Sequence, residues 1–106
     1  MTYFPIFPKS LKKVGLKIAL VFNYVEFRFE VWLSANNKKV QKEYWENIKE
    51  KKWDKYKIVD TIQGFDSIIE KYIDEEIDLD NQRELTEEIE KELVIFIKDI
   101  EGNLKI

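Results

Sequence analysis

The stretch LKIALVFNYVEFRFEVWL, Leu16 to Leu33, decides the fold. Leu16, Ile18, Leu20 and Phe22 fall on one side of a two-residue repeat, and Lys17, Ala19, Val21 and Asn23 on the other. That is the period of an extended chain, whose successive side chains point to opposite faces. Phe27, Phe29, Val31 and Leu33 repeat the alternation, with Arg28, Glu30 and Trp32 opposite. The connection Asn23–Glu26 is short enough to make the two strands an antiparallel hairpin with one apolar face. An apolar sheet face requires a covering layer.

The residues after the hairpin supply one. Asn36 or Asn37 caps a helix running to about Lys52, in which Val40, Tyr44 and Ile48 recur every four residues on one side. Residues Tyr56 to Ile62 read as a strand, with Gly64 in the turn that follows. Between Asp66 and Ile73, the residues Ile68, Ile69, Tyr72 and Ile73 have helical spacing. A short β-branched segment just after a strand and turn suits a hairpin better, so a strand is expected. Asn81 with Glu84 forms a capping box. Leu85, Ile89, Leu93, Phe96, Ile97 and Ile100 then make a helical stripe that Gly102 is expected to stop. Ahead of the hairpin, Pro5 and Pro8 restrict the chain to extended conformations. Residues 1–15 are thus expected as an extended arm whose Tyr3, Phe4 and Phe7 are too apolar to stand in water and pack on this domain or on a neighbour. The expected architecture is α+β over residues 1–106 as a single domain. It has a single-layer antiparallel sheet with two helices on one face, in the order ββαββα.

Composition excludes more chemistry than it suggests. The 106 residues are 44% hydrophobic and 37% charged, enough apolar surface to fold and enough charge to stay dissolved. With no cysteine there is no disulfide or thiolate, and with no signal-like start or bilayer-length apolar run the expected location is the cytoplasm, with no membrane partner. With no histidine, the commonest neutral-pH acid-base group and transition-metal ligand is missing. The three glycines are isolated, so no phosphate-cradling loop exists. No cofactor is expected. The net charge of -3 hides a division: residues 1–57 hold thirteen Lys/Arg against six Asp/Glu, and residues 58–106 hold five against fifteen.

Three constellations merit a functional reading. Lys38, Lys42 and Lys49 share a narrow helical sector with Trp45 at its edge, and Trp53 follows in a lysine-rich stretch. Lysines beside rings are the parts of a nucleic-acid backbone-and-stacking site, or of a partner contact, although Glu46 lies close enough to neutralise Lys42 and Lys49. The order hairpin, helix, strand also resembles the core of restriction-endonuclease-like folds, which need an acidic residue and then Glu-x-Lys around Mg²⁺. Here Glu30-Val31-Trp32 puts tryptophan where lysine belongs, so Arg28 and Glu30 read as solvent-side residues of a strand. The acidic run Asp74 to Asp80 has ligands for calcium but not the spacing: Arg83 falls at the required glycine and Ile89 at the required glutamate.

The words Met1-Thr2-Tyr3-Phe4, Phe29-Glu30-Val31-Trp32-Leu33-Ser34 and Asp66-Ser67-Ile68-Ile69-Glu70 resemble stretches of a bacterial family of conserved proteins of unknown function. The resemblance covers most of the chain. It implies that this is the C-terminal part of a longer form, and it carries over no active residue. The residues themselves favour a non-enzymatic interaction domain, self-associating or bound to another protein, on the strength of the aromatic arm, the three tryptophans and the opposed charges. Nucleic-acid binding through the Lys/Trp helix face is the alternative. A degenerate restriction-endonuclease-like domain is the third reading.

Overall fold

In the computed structural model, which describes residues 2–64, 66–73 and 80–105, the decisive stretch forms two paired strands. They are β2 (Leu16–Asn23) and β3 (Arg28–Ala35), antiparallel from Leu16 opposite Ala35 to Asn23 opposite Arg28. Around them stand β1 (Thr2–Ile6), α1 (Lys9–Lys12), α2 (Lys38–Glu50), β4 (Lys57–Ile58), β5 (Ser67–Ile73) and α3 (Gln82–Leu104). The fold is α+β, as expected: a five-stranded antiparallel sheet in the order β1-β2-β3-β5-β4, joined by three helices. Since β5 runs antiparallel to both β3 and β4, the connection through α2 carries the chain past one strand position, and β5 then fills the gap.

The apolar face expected from the hairpin is the one the helices cover. Leu16 and Ile18 of β2, Val31 and Leu33 of β3, and Ile69 and Ile73 of β5 share the core with Leu11, Ile48, Phe96 and Ile100 from the three helices. Asn37 rather than Asn36 caps α2, its side chain accepting from the Val40 amide at 2.9 Å. Asn81 caps α3 and exchanges bonds with Glu84, the capping box read from the sequence. The ambiguous segment after Gly64 is strand β5.

Four details differ from the sequence-based expectation. The first fifteen residues are extended only as far as Ile6, and that part lies in the sheet, pairing with β2 from Thr2 opposite Phe22 to Ile6 opposite Ile18. The chain then turns helical at Pro8 so that Leu11 can bury completely. The strand expected over Tyr56 to Ile62 shrinks to Lys57–Ile58, because the Val59 carbonyl accepts the Trp45 indole N–H at 2.7 Å instead of continuing a ladder. Gly102 does not stop α3; the helix continues to Leu104, which packs on the core, and ends at Lys105 in the left-handed conformation. Finally, the pairing of β3 with β5 shifts register between Leu33 and Ser34, so that Ser34 meets Ser67 and Ile68 drops out of step.

Candidate functional site

Three surfaces hold the residues with functional potential. The first is the α2 face. Lys38, Lys42 and Lys49 are exposed, as expected for a solvated helix. Lys38 Nζ reaches the Ile62 carbonyl at 3.4 Å, and Lys49 Nζ stands 4.3 Å from the centre of the Trp45 ring. Trp45 is half-buried, its indole N–H tied to Val59 and its ring packed on the core. Trp53 is also half-buried, edge-on to Tyr56, which in turn lies edge-on to Phe96. Both rings are therefore engaged by the protein's own interior. The structure brings the lysines together in one stripe but does not add the two rings to it as open platforms.

The second surface is the outer face of the sheet, where alternation places Arg28, Glu30 and Trp32. Here the sequence reading missed a feature: Glu30 is only 2% exposed. Its Oε2 accepts from Arg28 Nε at 2.9 Å and Asn23 Nδ2 at 3.1 Å, and its Oε1 accepts from Trp32 Nε1 at 2.9 Å. Tyr3 of β1 stands edge-on to Trp32, and Arg28, Glu30 and Trp32 line a cleft of about 480 Å³ with Lys57, Glu70 and Tyr72. Arg28 lies 3.7 Å over the Tyr72 ring. Burial works against the charge of Arg28, but the bond and charge of Glu30 outweigh it and raise its pKa above the ordinary value. Tyr72 donates to Glu70 at 2.9 Å, and Ser67 donates to the other oxygen of Glu70 at 2.6 Å. Burial first, with the Glu70 bond, pushes the Tyr72 hydroxyl above its usual pKa, against an opposing bond from Lys57.

A carboxylate has about four acceptor positions, so its three donors leave Glu30 one, while a tyrosine held above its ordinary pKa is a poor nucleophile at neutral pH. Where a nuclease needs lysine, this chain has Trp32, whose indole N–H donates to Glu30. Among the described residues, no three carboxylates gather to hold a metal ion. The acidic run from Asp74 to Leu79 lies outside the described residues.

The third surface is an aromatic corner at the β2–β3 turn. Phe22 sits at its centre, edge-on to Tyr24 at 5.2 Å and to Phe27 at 5.5 Å, and tilted against Phe29 at 4.9 Å. Thr2 of β1 contacts the Tyr24 hydroxyl, which joins the start of β1 to the corner. Of the arm residues, Tyr3 is 39%, Phe4 58% and Phe7 51% exposed. The sequence reading named these three but overlooked Tyr24, Val25 and Phe27. A signal was present: turns favour Gly, Asn, Asp and Ser, and a turn reading Tyr24-Val25-Glu26-Phe27 breaks that rule.

The basic and acidic halves meet rather than separate. Lys55 pairs with Asp99 at 2.7 Å and Lys51 Nζ donates to the Asn103 carbonyl at 2.9 Å, while within the acidic half Lys71 pairs with Glu92. Lys55, then the Tyr56 hydroxyl, hold the Asp99 carboxyl below the usual carboxylate range. Burial first, and then the bond to Asp99, push the Tyr56 hydroxyl well above its ordinary pKa. No helix among the described residues is long and apolar enough to cross a membrane.

No curated protein and no solved structure matches the chain. A family model does, over residues 1–104, almost the whole span just described. The chain belongs to the family described as Domain of unknown function (DUF7000).

Proposed function

We propose that this chain is a non-enzymatic interaction domain that associates with a second copy of itself through the aromatic corner. One observation carries the reading. The β2–β3 turn exposes Tyr24 at 59%, Val25 at 91% and Phe27 at 55%, and Phe27 holds φ +50°, a conformation that favours Gly or Asn. A large apolar side chain kept in a strained backbone and in water is not explained by the packing of the monomer.

The partner is argued from the same face. Phe22 and Phe29 of the corner pair on the same sheet face as Leu20 and Val31, the face on which Ile48 of α2 and Phe96 of α3 pack. The chain carries lysines on α2 and glutamates on α3, opposite charges that a second copy can meet across an isologous contact. Pro5 has no N–H and sits in the edge strand, which discourages sheet-to-sheet addition along β1 and leaves side chains to make the contact. Trp45 and Trp53, engaged by the core, support this reading over base stacking on α2.

Sedimentation equilibrium tests it with Phe27→Asn. Asparagine tolerates the left-handed backbone, so this variant is expected to be at least as stable as the parent while associating at least about tenfold more weakly. A parent that stays monomeric at several hundred micromolar and low salt, or a variant that associates unchanged, refutes the proposal.

A further inference from the structure

We infer that the cleft at the N-terminus of α2 binds a phosphate-sized oxyanion. The cleft encloses about 440 Å³ between the end of β3 and the first turn of the helix, and Lys17, Ser34, Asn36, Lys38 and Asp66 are among its walls. Two independent features point to an anion. The first is the helix end: α2 has 13 residues, so its first turn presents a developed positive pole to the cleft. The second is Ser34, which is 1% exposed and whose Oγ has no partner among the described residues. A buried hydroxyl without a partner costs stability unless something supplied from outside completes its bonding. Ser34 lies at the register shift between β3 and β5 and lines the cleft.

The charges select among oxyanions. Lys17 and Lys38 supply positive charge on two sides, and Lys38 does so while its ammonium bonds the Ile62 carbonyl. Asp66 is the exception, since a carboxylate repels a fully deprotonated anion. Hydrogen phosphate keeps one P–OH at neutral pH and can donate it to Asp66, whereas sulfate has no proton to give. The cleft therefore takes phosphate in preference to sulfate. Ser34 Oγ donates to one oxygen, the helix end and Lys17 neutralise the others, and Asp66 accepts the proton of the fourth.

Backbone amide NMR tests this directly, with inorganic phosphate and sulfate titrated separately at low salt. Phosphate is expected to give saturable shifts at Ser34, Asn36 and Lys39 in the millimolar range or below, about 1 mM being the order for one small anion. Sulfate is expected to bind at least about tenfold more weakly, and Asp66→Asn to narrow that gap. Methyl phosphate, mostly a dianion without a P–OH at neutral pH, is expected to bind more weakly than free phosphate, as sulfate does; equal or tighter binding would overturn the role given to Asp66. Ser34→Ala removes a hydroxyl that lacks a partner, so the variant is expected to fold at least as stably as the parent, yet to lose about tenfold or more in phosphate affinity. The inference is overturned if phosphate produces no saturable shift at these amides, or if Ser34→Ala binds it as the parent does.

Discussion

Replacing Glu30 with alanine removes a single side chain from the outer face of the sheet, and its cost follows from three hydrogen bonds. Glu30 is 2% exposed and accepts from Arg28, Asn23 and Trp32 at 2.9, 3.1 and 2.9 Å. Truncation leaves the Trp32 indole N–H and the Asn23 amide without an acceptor, at about 1 kcal/mol each or more. It also leaves the Arg28 guanidinium without its counter-charge. Breaking a buried pair costs about 3–5 kcal/mol, but the Arg28 side chain keeps 28% of its exposure and can take up water. The total is therefore expected near the low end, about 3 kcal/mol. With a urea dependence of about 1–3 kcal/mol per molar, the unfolding midpoint falls by about 1–3 M. Glu30→Gln keeps one acceptor and loses the charge, so it is expected to lose about half as much. Tryptophan fluorescence in urea measures both. A loss within about 0.5 kcal/mol, the range for an ordinary surface substitution, would show that Glu30 is solvated and refute the reasoning.

Two further outcomes follow from other parts of the structure. Asp99 is held below the usual carboxylate range by Lys55 and Tyr56. A depressed folded-state pKa gives stability that is fully present above the unfolded value, about pH 4, and is lost as pH falls through the folded one. The stability gap between the parent and Asp99→Asn is therefore expected to be constant near neutrality and to close below about pH 4, as read by urea melts across pH. Gly15 and Gly102 are expected to respond to alanine with opposite signs. Gly15 has φ +78° and a Cβ there would stand 3.4 Å from Val40, so Gly15→Ala loses about 1–2 kcal/mol. Gly102 lies within α3 with nothing within 4 Å of its Cβ position, so Gly102→Ala gains about 0.5–1 kcal/mol. Thermal melts of the pair decide this, and a shared sign would contradict the backbone assignment.

What could be read from the chain was local. The β2–β3 hairpin follows from alternation, α2 and α3 from stripes and caps, and β5 from β-branched residues after a turn. What was misread depended on contacts made elsewhere. Gly102 resembles a helix stop, but Leu104 has a core to reach, and propensity yields to that burial. Residues 59–62 look extended, but the indole of Trp45 takes the Val59 carbonyl. A helical wheel places Trp45 at the edge of the lysine sector without saying how far the ring is covered; its tie to the Val59 carbonyl is a contact from outside the helix.

The sequence by itself determined the α+β class, the apolar face of the hairpin, and the absence of histidine and cysteine chemistry, because alternation, helical period and composition are properties of neighbouring residues. Only the tertiary structure decided that β5 lies between β3 and β4, that Glu30 is buried on the face alternation assigns to solvent, and that Ser34 is buried with its hydroxyl lacking a partner among the described residues. The reason is physical: a two-residue period tells which side chains share a face, but whether that face is wet depends on what distant segments lay over it. Here the donors of Asn23, Arg28 and Trp32 close on a carboxylate that alternation alone would have left in water.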